Sequence, residues 1–165
     1  MRRASKQSGF TLIELMVCLL ILALLISILT LNFGSFTQQA KQLRVMNTAR
    51  AIGSACMPWL ASQGGSASLG NSVDLANYPV PMTRDDVASL LKPRYINWVP
   101  EFDRWGNPWE FYFSGNLQGP EVFVVRSAGR DGVFDGTTYQ VGPFVATDYD
   151  QDIVWADGNL ARWPE

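Results

Sequence analysis

Residues 9–31 read GFTLIELMVCLLILALLISILTL, and the fold turns on them. From Phe10 to Leu31, 18 of 22 residues are apolar, and no charge occurs between Leu15 and Ala40. As a helix rising 1.5 Å per residue, this run reaches about 33 Å, enough to cross a hydrocarbon core of roughly 30 Å. A single membrane span over residues 10–32 is expected. Arg2, Arg3 and Lys6 precede it with no acid, so the leader should stay cytoplasmic and the chain beyond residue 32 should lie across the membrane. A secretory signal peptide fits less well, because its apolar region normally runs 7 to 15 residues and ends in a small-residue cleavage site. Glu14 interrupts the run. A carboxylate costs about 2.5–3.5 kcal/mol near a bilayer centre and less near an end, so Glu14 either reaches the headgroups or has an assigned partner.

The remainder of the 165 residues leaves about 130 for a globular part, an ordinary domain size. Its charge is uneven. Residues 1–9 carry +3, residues 10–127 carry eight bases and eight acids, and residues 128–165 carry two bases and seven acids. Histidine is absent, which excludes Ser-His-Asp and Cys-His nucleophile pairs, HExxH zinc sites and a histidine pH switch. The two cysteines, Cys18 and Cys56, are too few for a four-cysteine zinc site. On one continuous helix they stand roughly 57 Å apart, so they read as structural thiols and not as a disulfide.

Beyond Asn32 the apolar pattern becomes periodic. Phe36, Ala40 and Leu43, then Val45, Ala49, Ile52, Cys56 and Trp59, recur at three- and four-residue spacing, the stripe of an amphipathic helix. Lys41, Arg44 and Arg50 fall mainly off it. The helix is predicted to end or kink at Pro58, with Gln63-Gly64-Gly65-Ser66 as a loop and Ser66 to Tyr78 as polar loop. Thr83-Arg84-Asp85-Asp86 followed by Val87, Leu90 and Leu91 predicts a short capped helix ending before Pro93. Trp109–Phe113 and Glu121–Arg126 predict two strands of an antiparallel hairpin, entered through the turn Asp103–Pro108. The tryptophans of that turn read as core packing before a sugar or cofactor platform. Asp103 and Glu110 make a weak case for an acid/base pair. The fold class expected is α+β: a long N-terminal helix packed against a small antiparallel sheet.

Gly9-Phe10-Thr11-Leu12-Ile13-Glu14-Leu15-Met16 resembles the cleavage and methylation signature of type IV pilins and of the pseudopilins of type II secretion. The resemblance implies a pilin-like fold, a basic prepilin leader at residues 1–9 and a membrane and filament-core helix at 10–32. It implies a periplasmic globular domain at 33–165 that includes the second half of the helix. Cleavage after Gly9 by a prepilin peptidase and methylation of Phe10 follow, with Glu14 five places into the mature chain. Family members commonly carry a proline in the stretch equivalent to Ser27–Phe33; here there is none, and Gly34 is the flexible residue that remains. Asp103-x-Trp105-Gly106-Asn107-Pro108-Trp109 and Ser127-Ala128-Gly129-Arg130-Asp131-Gly132 are similar to segments of the major pseudopilins. Type IVa pilins close their C-terminal region with a disulfide, which both cysteines lie too early to form. The resemblance spans residues 1–33, 101–132 and 148–155.

Asp131, Asp135, Asp148, Asp150 and Asp152 stand among several glycines. They form either a solvated acidic loop or a calcium site, since Ca²⁺ takes six to eight hard oxygen ligands. An EF-hand is excluded, because Ile153 occupies the glycine position and Asn159 the bidentate glutamate position. The resemblance implies Ca²⁺ held by Asp131, Asp150, Asp152 and the carbonyl of Ala128, with Asp135 and Asp148 as extra or substitute ligands.

The function implied is that of a structural pseudopilus subunit and not an enzyme. Its partners would be the prepilin peptidase, copies of itself and other pseudopilins, the inner-membrane assembly platform and, before assembly, the lipid bilayer. A type IV pilin or minor pilin of an adhesion, motility or DNA-uptake fibre is the alternative, and a signal-anchored periplasmic enzyme or binding module is a third reading. No nucleic-acid partner is expected, because the exported region is net acidic.

Overall fold

The computed structural model of the chain describes residues 9–165, the side chains of residues 28–33 excepted. Residues 1–8 of the basic leader, with Arg2, Arg3 and Lys6, and the side chains at the end of the apolar run therefore lie outside what is described. The chain divides into two compact units, one ending at Thr37 and the other running from Gln38 to Glu165.

Helix α1 is assigned from Leu12 to Ser62. It opens on a reciprocal cap: the Glu14 amide donates to the Thr11 hydroxyl at 3.3 Å, and Glu14 Oε2 accepts from the Thr11 amide at 2.9 Å and hydroxyl at 2.7 Å. This is the T-x-x-E capping box, which satisfies two of the donors a helix start leaves orphaned. Among the described residues no helix is long and apolar enough to cross a membrane. Within the apolar run the described apolar side chains extend from Phe10 to Ile26, all exposed.

In the second unit α1 buries Gln42, Val45, Ala49, Ile52, Cys56 and Leu60 and exposes Ala40, Leu43, Arg44, Asn47, Arg50 and Ala51. The predicted stripe is thus right from Val45 to Cys56 and wrong before it. Leu43 and Val45 are two positions apart, a turn of about 200° on a helix, so they cannot share a face. The helix also does not end at Pro58, which lies inside it. Leu60 beyond the proline is fully buried, and the end is closed instead by Gly64 at φ +73° and by the Gly65 amide donating to the Leu60 carbonyl at 3.0 Å.

The segment expected to be polar loop contains β1 (Ser72–Asp74) and a single 3-10 turn, Leu75–Asn77, capped by the Asp74 side chain. Val73, Leu75 and Tyr78 are buried there, too few and too closely spaced to show a period in sequence. After β2 (Val80–Met82) comes α2 (Arg84–Leu91), whose Thr83–Asp86 capping box matches the expected helix start. The other strands are β3 (Glu110–Phe113), β4 (Phe123–Ser127), β5 (Thr138–Gln140), β6 (Gly142–Phe144), β7 (Ile153–Ala156) and β8 (Asn159–Pro164).

β3 and β4 form the expected antiparallel hairpin, with Phe111 opposite Val125. β1 pairs only with β5, and the other six strands run β2-β3-β4-β7-β8-β6. The sheet is not wholly antiparallel, because β6 pairs with β8 in parallel. Both central strands, β4 and β7, are buried on both faces. Phe123, Val125, Ile153 and Trp155 pack in one cluster with the α1 and α2 side chains. Val124, Val154 and Ala156 pack in a second with Val73, Tyr78 and Tyr139. Two-sided burial explains why these strands are continuous apolar runs without alternation. α1 approaches β7 closely at Gly53, where a Cβ would stand 2.1 Å from the Trp155 ring. Cys56 is buried, and desolvation pushes its thiol up to about 12, so it is an inert core residue.

Candidate functional site

Two regions hold the residues singled out by sequence. In the first, Phe10, Ile13, Glu14, Val17 and Cys18 line one shallow surface at the start of α1. Phe10 is exposed, and a Cβ on Gly9 would meet nothing within 4 Å. Packing within the chain therefore does not demand glycine at position 9. Glu14 is bound only to Thr11 among the described residues.

The second region is a junction built from both C-terminal motifs. Asp103 Oδ1 accepts from the amides of Trp105, Gly106 and Asn107 at 2.8–2.9 Å, which fixes the turn, and Oδ2 accepts from the Ser127 hydroxyl at 2.7 Å. Asn107 Nδ2 donates to the Gly129 carbonyl at 2.7 Å. Gly132 has φ +73°, and a Cβ there would lie 2.8 Å from Asn107 Oδ1. Left-handed backbone and close approach together require glycine at that position. Trp105 and Trp109 pack on the core, as expected, and Trp105 Nε1 donates to Gln38 at 2.8 Å. Asp103 and Glu110 serve separate structural purposes: Glu110 is ion-paired to Arg126 at 2.6 Å.

The acidic segment lies against this junction. The Arg130 amide donates to the Tyr149 carbonyl at 2.8 Å. Gly129, at φ +70°, sits where a Cβ would come within 2.8 Å of the Tyr149 and Asp150 carbonyl oxygens. The backbone thus brings residues 128–131 and 148–152 together, but the carboxylates take different partners. Asp150 is held bidentate by Arg130 at 2.6 and 2.8 Å, and that hydrogen bonding draws its carboxyl below the usual range. Asp131 Oδ1 accepts from the Val133 amide at 3.0 Å. Asp152 is buried, with Oδ2 accepting from the Tyr139 hydroxyl at 2.6 Å and the Asp135 amide at 2.9 Å. Desolvation pushes its carboxyl up to about 6, and Oδ1 has no partner.

Among the described residues no three acidic side chains stand close enough to hold a metal ion. The donor chemistry fits a hard cation at Asp152, where a buried oxygen lacks the partner such atoms almost always have. Asp150 is held by Arg130 and Asp131 Oδ1 accepts from the Val133 amide, so a cation at Asp152 would gain Asp150 only after that carboxylate leaves Arg130.

Sequence reasoning missed two residues that organise the domain. Arg126, at the end of an apolar run, inserts its guanidinium among Glu110, the Gly136 carbonyl and the Tyr139 hydroxyl and stacks 3.7 Å from the Phe134 ring centre. Asp157 opens the β7–β8 turn at φ +44° followed by Gly158 at φ +107°. Its carboxylate accepts from the Val122 and Phe123 amides and from Tyr78. The Asp-Gly pair between two apolar runs was the available sequence signal.

Residues 4–30 match the family model described as the prokaryotic N-terminal methylation motif. The type II secretion system core protein G of Pseudomonas aeruginosa is 30% identical over 144 residues, covering 80% of this chain and 89% of the relative. The core protein G of Vibrio cholerae is 25% identical over 150 residues, 90% of this chain and 99% of the relative. That of Aeromonas hydrophila is 28% identical over 131 residues, with 79% and 90% covered. No solved structure gives a significant match. A methylation motif at the head of a helix, followed by an α+β domain, defines a pilin-like protein. Within that class, the chain belongs to the type II secretion system core protein G family.

Proposed function

We propose that the protein is a structural subunit of the periplasmic pseudopilus of type II protein secretion, made as a precursor that is cleaved after Gly9 and N-methylated on Phe10. The observation that carries this is the methylation motif at residues 4–30 on a chain alignable over most of its length with core protein G relatives. It is no enzyme; the chemistry is done to it. The prepilin peptidase acts at the Gly9–Phe10 bond, where glycine serves no packing purpose in the chain itself. The apolar helix of residues 10–32 first anchors the subunit in the inner membrane, with the leader cytoplasmic and the globular domain periplasmic. It then becomes filament core alongside other pseudopilins, on an inner-membrane platform. In that bundle the amine of Phe10 is a cation among apolar side chains, and Glu14 of a neighbouring subunit neutralises it.

Deleting the coding sequence in its host should leave folded exoproteins trapped in the periplasm. Normal secretion with loss of surface fibres would instead support the type IV pilin reading.

Calcium is proposed as a ligand of the acidic loop, with Asp152, Asp131, Asp150 and the Ala128 carbonyl as its holders. The support is the unpartnered buried Oδ1 of Asp152. When bound, the ion would supply positive charge that crosslinks the two loop segments. Asp150 would have to leave Arg130 to join it. Thermal melts with calcium and with chelator test this: at 100 times its Kd the ion adds about 2.7 kcal/mol to stability, and an unchanged midpoint removes calcium from the account.

A further inference from the structure

Residues 128–165 carry seven acids and two bases, Arg130 and Arg162. Arg130 is the base that joins the two loop segments. Its amide donates to the Tyr149 carbonyl at 2.8 Å, and its guanidinium donates to Asp150 through Nε at 2.8 Å and Nη2 at 2.6 Å. The guanidinium carbon also lies 5.7 Å from the Tyr149 ring centre. Hydrogen bonding to Asp150, aided by the charges of Asp150, Asp148 and Asp131, holds its proton more tightly than is usual for arginine. A permanent cation therefore sits in the field of three of the loop aspartates.

The chain on either side of Asp150 is held in place without it. The Asp148 carbonyl accepts from Gln42 of α1 at 3.1 Å, and the Asp148 amide donates to the Val145 carbonyl at 2.9 Å. Asp152 is 1% exposed, with Oδ2 fixed by the Tyr139 hydroxyl and the Asp135 amide, while its buried Oδ1 has no partner. Asp150 and Arg130 differ: their side chains are 40% and 47% exposed, and a solvated pair of this kind is held by little net energy. The movable element of the loop is therefore one exposed ion pair on a backbone pinned at both ends.

Resting on the calcium reading, we propose that Arg130 is a built-in counter-cation of the acidic loop: it holds Asp150 when no divalent ion is bound and competes with that ion for it. The two cations use a carboxylate differently. A guanidinium fork is satisfied by two parallel hydrogen bonds to a single carboxylate, whereas Ca²⁺ needs six to eight oxygens. Asp150 alone therefore suffices for Arg130, and the open oxygen of Asp152 is what the ion gains and arginine does not use. Asp150 is neutralised either way, so the two segments stay together with or without metal. Calcium affinity is lowered by the strength of the pair that must first break.

The test is calorimetric titration of calcium chloride into the full chain in detergent, as parent and as Arg130→Gln. The variant should bind about fivefold more tightly, the worth of one well-formed exposed pair. At a fixed calcium concentration its melting midpoint should also rise by more than the parent's does. Equal or weaker affinity in Arg130→Gln overturns the counter-cation while leaving calcium in the account, and binding by neither chain overturns both. Arg162→Gln removes the other base, which borders a hollow beside Asp135 and Tyr139. It should change the affinity little; a gain equal to that of Arg130→Gln would reduce the effect to net charge and overturn the local role. If Arg130→Gln fails to fold, Arg130→Lys decides, because it keeps the charge without the fork. It should still bind calcium more tightly than the parent, and an unchanged affinity overturns the proposal.

Discussion

Glu14→Ala should leave the protein inserted and cleaved but without fibres. Two physical roles compete for this carboxylate, and they differ in size. As a capping-box residue it satisfies the Thr11 amide, and loss of a cap costs about 1 kcal/mol, too little to abolish assembly. As the counter-charge to a neighbour's Phe10 amine it prevents an unpaired ion in an apolar bundle, a penalty of several kcal/mol repeated at every subunit. Glu14→Gln separates them, because glutamine can still accept from Thr11 but carries no charge. The pairing role predicts that Gln fails as Ala does. Electron microscopy of sheared fibres, with membrane fractionation as control, reads the result; normal fibres from either variant would exclude the pairing.

The second large effect is expected at Asp157. Its Oδ1 accepts from the Val122 amide at 2.7 Å and the Phe123 amide at 3.0 Å, and its Oδ2 from the Tyr78 hydroxyl. The residue is only 2% exposed. Alanine would strand three buried donors, each costing roughly 1–3 kcal/mol, and would hold a left-handed φ without a side chain that favours it. A loss on the order of 4 kcal/mol is expected, a large share of the 5–15 kcal/mol typical of a whole domain. Asp157→Asn keeps the acceptor for both amides and should cost far less. Urea unfolding of the two variants measures this, and a loss below about 1 kcal/mol for alanine would show that the donors find water instead.

How much of this was visible in sequence depended on the range of the physics involved. The α2 cap and the β3–β4 hairpin were legible because their signals are local: a capping pattern, a turn and a short apolar run. The first half of the amphipathic stripe was misread because Leu43 and Val45 were joined across a two-residue step. An end or a kink is expected at Pro58; the helix does not end there, and burial of Leu60 carries it past the proline. β1 was invisible, since its three residues gain meaning only opposite β5, more than sixty positions later. The two loop segments of the implied calcium site do meet, through Arg130 and Gly129. The competition of Arg130 for Asp150 could not be read, because it depends on side-chain direction across that meeting. Arg126 was missed for the same reason: its partners, Glu110 on one side and Phe134, Gly136 and Tyr139 on the other, come from two separate stretches of chain.

The central claim is that the chain is made as a precursor and assembled as its mature form. Intact mass and N-terminal sequence of the protein from its native host test this most directly. The account predicts a chain beginning at Phe10 with one added methyl group; a protein that keeps its leader from Met1 in the assembled state would contradict it.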